Sequence, residues 1–151
     1  MKNQNKQILI IGYGNPGRQD DGLGPALIEE LETLEAGDIQ LQSNYQLTVE
    51  DAYDIQAFKQ VVFVDASLNA TPPFSFTEID NTNESALGSH SLSPHAVLQL
   101  CETLYQQQPK AFVLAIRGYE FDQFEEELSA KAKSNLDQAL NFLTTWISQN
   151  A

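Results

Sequence analysis

Ile8-Leu9-Ile10-Ile11-Gly12-Tyr13-Gly14-Asn15-Pro16-Gly17-Arg18-Gln19-Asp20-Asp21-Gly22-Leu23-Gly24 is the stretch whose reading decides the fold. Four apolar residues ended by glycine describe a strand buried on both faces, which is continuously hydrophobic rather than alternating. Gly12, Gly14 and Gly17 then permit a tight turn. From Leu23 to Leu34 the apolar residues Leu23, Ala26, Leu27, Leu31 and Leu34 recur at helical spacing. The two aspartates therefore sit where a strand hands over to a helix. In open α/β sheets ligands bind beyond the carboxyl ends of the strands, which makes this turn a candidate site by position alone.

Working outward, Asp38 to Gln42 is a short strand with Ile39 and Leu41 alternating, and Thr48 caps a helix from Val49 to Phe58. Gln60-Val61-Val62-Phe63-Val64-Asp65-Ala66 is the strongest buried strand, and it ends on an aspartate that a strand does not require. After Pro72-Pro73, Phe74 to Ile79 alternates like an edge strand with one wet face. Asp80 to Ser93 is a long polar loop, and long loops in small domains are often functional. Ser93-Pro94 opens a helix to about Gln107 with Val97, Leu98, Cys101 and Leu104 inward. Lys110 to Ile116 is a further buried strand, and a last helix from about Ser129 to Ile147 aligns Leu136, Ala139, Leu140, Leu143 and Ile147. Alternating strands and helices without repeats or linkers predict one domain over residues 1–151: a three-layer α/β/α sandwich on a mostly parallel, twisted five-stranded sheet with one antiparallel edge strand.

Composition narrows the function classes. Eight Lys+Arg against 21 Asp+Glu give a formal charge of −13. Long-range repulsion opposes approach to a phosphate backbone or an anionic membrane, so neither nucleic acid nor membrane is expected as a partner. The one cysteine, Cys101, excludes an internal disulfide and any CxxC site, and reads as a small core residue. The first apolar run is too short for a signal segment or a membrane span, and a cytoplasmic protein is expected.

Gly12 to Gly17 literally matches GxGxxG after a strand. A dinucleotide would place its pyrophosphate on the following helix N-terminus, where Asp20 and Asp21 would repel it. The second strand also runs into Ser43-Asn44-Tyr45, with no acidic residue for a ribose hydroxyl. Helix capping accounts for one of the two aspartates more comfortably than for both. Asp21, Asp65 and a histidine, His90 or His95, instead fall where a parallel sheet could gather them on one carboxyl edge. Two carboxylates and one imidazole, with water in the remaining positions, suit a divalent transition metal.

Gly12 to Gly24 resembles the GxGNxxxxD(D/E)xxG signature of the hydrogenase maturation endopeptidases, which trim the C-terminus of the nickel-iron hydrogenase large subunit. Val61-Val62-Phe63-Val64-Asp65-Ala66 is similar to that family's apolar strand ending in Asp-Ala, Ile116 to Glu120 to its last strand end, and Leu128-Ser129 to the opening of its last helix. The resemblance implies a phosphorylase/hydrolase-like fold and an endopeptidase that reads nickel in the immature large subunit and removes a C-terminal extension. It carries a cation site onto Asp21, Asp65 and one histidine. Aligning Leu92-Ser93-Pro94-His95 on the family's Ile-Ser-Pro-His selects His95; aligning by the downstream Val97-Leu98 pair selects His90, which is preferred because it lies in the loop. Pro16-Gly17-Arg18 departs from the apolar residues of many members. The nickel is expected to be substrate-borne, although another divalent cation could occupy the site. Catalysis falls to Asp20, Asp21 and Asp65, with the metal itself activating water or carbonyl, or Asp20 activating water beside it. The expected partner is the large-subunit precursor, met by a monomer. A non-catalytic maturation chaperone of the same fold is an alternative. So is a peptidyl-tRNA hydrolase-like esterase, which shares a Gly-x-Gly-Asn-Pro-Gly start but needs an early histidine that this chain lacks.

Overall fold

The computed structural model describes residues 7–34, 38–80 and 92–151. The order of elements is β1 (Ile8–Tyr13), a short 3-10 helix (Gln19–Gly22), α1 (Leu23–Leu34), β2 (Ile39–Asn44), α2 (Val49–Ile55), β3 (Gln60–Ser67), β4 (Phe74–Ile79), α3 (Pro94–Tyr105), β5 (Lys110–Arg117) and α4 (Ala130–Asn150). The five strands form one sheet in the order β2-β1-β3-β5-β4. All neighbours are parallel except β4, which pairs antiparallel with β5 from Phe74↔Ile116 to Ile79↔Ala111. The alternation of Phe74 to Ile79 is thus that of an antiparallel edge strand, as expected.

The continuous apolar runs of β1, β3 and β5 are explained by cover on both faces. Ile8, Ile10, Val62, Val64, Leu114 and Ile116 face a core closed by α1 and α4, through Leu27, Leu31, Leu136 and Leu143. Leu9, Ile11, Val61, Phe63 and Ala111 face the opposite core, closed by Ala52 and Ile55 of α2 and Val97, Leu98 and Cys101 of α3. Each fully buried Leu, Ile or Phe contributes on the order of 1.5–3 kcal/mol, so these two layers carry the fold. Under α4, Phe76 stacks on Phe112 with ring centroids 5.1 Å apart, and Trp146 meets both rings edge-on.

Several boundaries differ from the sequence reading, each for a local reason. β2 runs to Asn44 because β1 continues to Tyr13 beside it. α2 stops at Ile55, where Ala57 and Phe58 donate to the carbonyls three residues back and tighten the last turn. Leu104, expected inward, is 52% exposed. Tyr105 packs toward the core in its place, its ring 5.7 Å from that of Tyr53. Leu34 likewise lies outside the core, at 53% exposure. The polar loop expected between Asp80 and Ser93 falls for the most part outside the described residues.

Candidate active site

The turn after β1 is closed by its own backbone. Gly14 has φ of +138°, and a Cβ there would collide with the carbonyl oxygen of Asp21. Only glycine lets residues 14 and 21 approach this closely. The Asn15 side-chain oxygen accepts from the Gly17 amide at 2.8 Å, and Asp21 donates its amide to the Arg18 carbonyl at 3.1 Å. Gly24, at the start of α1, lies against the backbone of Tyr13 and Val64, and a Cβ would sit 2.6 Å from the Tyr13 oxygen and 2.7 Å from the Val64 oxygen. These glycines press the helix start onto the ends of β1 and β3.

Asp20 and Asp21 diverge from this turn. Asp20 is fully buried, and its carboxylate accepts four hydrogen bonds: from the amides of Tyr119 (2.8 Å), Glu120 (3.0 Å) and Ser129 (2.7 Å) and from the Ser129 hydroxyl (2.8 Å). Burial by itself would raise its pKa, but the bonds from Ser129, Glu120 and Tyr119 outweigh it and hold the carboxyl below its ordinary value. Asp20 therefore joins the β1 turn to the segment after β5 and to the N-cap of α4. It holds the N-cap residue of a helix more than a hundred residues downstream. The expectation that Asp20 activates water meets a carboxylate with no exposed surface and four donors already on it. Gln19 strengthens the same junction from a left-handed φ of +52°: its amide donates to the Glu125 carbonyl at 2.8 Å and its side-chain oxygen accepts from the Gln123 amide at 2.9 Å.

Asp21 is half-buried and turns the other way. Its Oδ2 accepts from the Asn15 amide at 2.8 Å, and it lines a cleft of about 230 Å³ together with Asp65, Tyr13, Gly14, Leu47 and Leu92. Asp65 comes from the carboxyl end of β3. Burial, opposed by hydrogen bonds from Tyr13 and the Ala66 amide and reinforced by the Asp21 charge, pushes its carboxyl from 3.8 up to about 6. Tyr13 donates its hydroxyl to Asp65, and burial followed by the Asp65 charge raises the phenol far above its ordinary value. The sequence reading named both carboxylates but not Tyr13. Its place beside Asp65 follows from the pairing of β1 with β3, which the residues alone do not announce.

The third expected ligand divides between two histidines. His90 lies outside the described residues. His95 is half-buried as the second residue of α3, and it does not line the cleft. Among the described residues no three His, Cys, Asp or Glu side chains come together as a metal set, so His95 does not join Asp21 and Asp65. The two carboxylates fit a hard or borderline divalent cation as two oxygen donors of an incomplete set.

No protein-family model matches this chain, and no curated protein does. Solved structures do match. The [NiFe] hydrogenase maturation protease HycI from Thermococcus kodakarensis KOD1 superposes with a TM-score of 0.72 at 25% identity, covering 93% of this chain and 91% of that one. The hydrogenase maturating endopeptidase HybD from E. coli gives 0.74 at 17% identity over 96% and 94% of the two chains. A hydrogenase 2 maturation peptidase from Thaumarchaeota archaeon SCGC_AB-539-E09 gives 0.69 at 17% identity over 94% and 98%. With the Gly12–Gly24 signature and the Asp65 strand end, the chain is similar from end to end to solved hydrogenase maturation proteases and shares their fold.

Proposed function

We propose that the protein is an endopeptidase that recognises nickel already inserted in an immature nickel-iron hydrogenase large subunit and cuts off its C-terminal extension, working as a cytoplasmic monomer. One observation carries this reading: Asp21, from the turn after β1, and Asp65, from the end of β3, line one cleft on the carboxyl edge of the sheet. Their mutual repulsion and the burial of Asp65 make that cleft short of positive charge, which a substrate-borne nickel ion supplies. His90 is the imidazole that completes the set; Leu92, two residues later in sequence, lines the same cleft. Water activation belongs to the cleft carboxylates rather than to Asp20. With its carboxyl near 6, Asp65 is a proton acceptor at neutral pH. Among the described residues no helix is long and apolar enough to cross a membrane.

The test is incubation of the purified protein with nickel-loaded and nickel-free precursor, followed by the mass of the large subunit. Loss of a C-terminal fragment from the loaded precursor alone is expected. Equal cutting of both would remove nickel from the reading, and cutting of neither, with a stable complex formed, would make the protein a maturation chaperone instead.

A further inference from the structure

Tyr13 ends β1 at the level where β3 ends in Asp65, since Gly12 and Val64 are register partners in the parallel pair. Residues at one level of neighbouring strands share a face of the sheet, so phenol and carboxylate stand side by side. The ring packs against the core under α2 and α3, while the hydroxyl donates to Asp65 in the cleft. The two carboxylates are thus each tethered from one side: Asp21 by the Asn15 amide, Asp65 by the Tyr13 hydroxyl and the Ala66 amide. A carboxylate free to rotate must lose that freedom when it takes a ligand, whereas one already held does not. Phenylalanine would keep the ring's packing against this core and remove only the hydroxyl.

We infer that Tyr13 is a positioning residue for the cleft: its hydroxyl fixes the rotation of the Asp65 carboxylate so that Asp65 and Asp21 together receive a divalent cation. The inference rests on the cation reading of the cleft given above. Groups that orient ligating side chains are commonly worth about 10–100-fold in metal affinity or activity. Titration calorimetry with nickel chloride, on wild type and Tyr13→Phe, tests it alongside precursor cleavage and thermal unfolding. Nickel affinity and kcat/KM are expected to fall by about 10–100-fold with the melting temperature held within a few degrees. Para-aminophenylalanine at position 13, which keeps a donor in the same place, is expected to restore affinity to within about 3-fold of wild type. Unchanged nickel affinity in Tyr13→Phe, or an amino variant as weak as the phenylalanine one, would overturn the assignment; if the phenylalanine variant melts far lower, the amino variant decides. Absence of nickel binding by wild type would also overturn it, whereas loss of precursor cleavage by wild type with nickel binding intact would strike only the endopeptidase reading.

Discussion

Asp65→Asn separates what the cleft needs from what the fold needs. In the folded protein the Asp65 carboxyl is raised from 3.8 to about 6, chiefly by burial and further by Asp21. At about 1.4 kcal/mol per tenfold change in proton affinity, holding the ionised form there costs roughly 3 kcal/mol above pH 6. The folded state binds the proton more tightly than the unfolded one, so wild-type stability is greatest below about pH 4 as far as this group is concerned. It declines as pH rises through the folded value near 6. Asparagine keeps the shape and an acceptor for Tyr13 but carries no charge; the weaker neutral hydrogen bonds return about 1 kcal/mol of the gain. The net expectation is a stabilisation of about 2 kcal/mol at pH 8, or roughly 4–8 °C in melting temperature for a domain of this size. At pH 4, where the wild-type group is already protonated in the fold, the difference closes to near zero. Precursor cleavage is lost at every pH. Thermal unfolding of both proteins at pH 4 and pH 8 reads the difference directly. A variant less stable than wild type at pH 8, or one shifted equally at both pH values, would refute the burial and repulsion invoked here.

Two further outcomes follow from the turn. Asp20→Asn replaces an acceptor of four bonds by an amide whose NH₂ must face donors, so a loss of about 3 kcal/mol is expected in urea denaturation, with faster amide exchange at Tyr119, Glu120 and Ser129. Because its carboxyl is held below the ordinary value, Asp20 contributes stability that is present above the unfolded pKa and lost as pH falls through the folded one; the variant should lack that acid-side loss, and a stability within about 0.5 kcal/mol of wild type would contradict the junction. Gly24→Ala would gain about 1 kcal/mol from helix propensity alone, but its Cβ would press on the Tyr13 and Val64 backbone, and a net loss of about 2 kcal/mol is expected. Net stabilisation by that substitution would show that the helix start is not held against the strand ends.

Much of this was legible in the residues because burial on both faces leaves a plain mark. The runs Ile8 to Ile11, Val61 to Val64 and Ala111 to Ile116 announced central parallel strands, and the alternation after Pro73 announced the antiparallel edge. The meeting of Asp21 and Asp65 could be anticipated from strand ends alone, since parallel strands deliver their carboxyl termini to one side. What could not be read were long-range partners. Nothing near Asp20 in sequence indicates Ser129, and nothing near Tyr13 indicates Asp65; both contacts depend on strand order, which periodicity does not encode. Leu104 and Leu34 failed for a related reason: helical spacing marks a face but not where along the helix the core ends.

The adjacency of Asp20 and Asp21 invited their treatment as a catalytic pair, and the local geometry explains why their side chains diverge. Residues 19–22 form a 3-10 turn with three residues per turn, so consecutive side chains leave the axis about 120° apart. Two neighbours in such a turn start out in different directions. Here Asp20 goes under the turn into the amides of the 119–129 segment, while Asp21 goes forward beside Asp65. The first is fixed and stays ionised by its donors; the second shares a cleft with a carboxylate whose hold on a proton is strengthened by burial and repulsion. Asp20 is surrounded by four donors and ties the turn to the 119–129 segment, whereas Asp21 and Asp65 face one cleft, where the proposed cation chemistry would have to act.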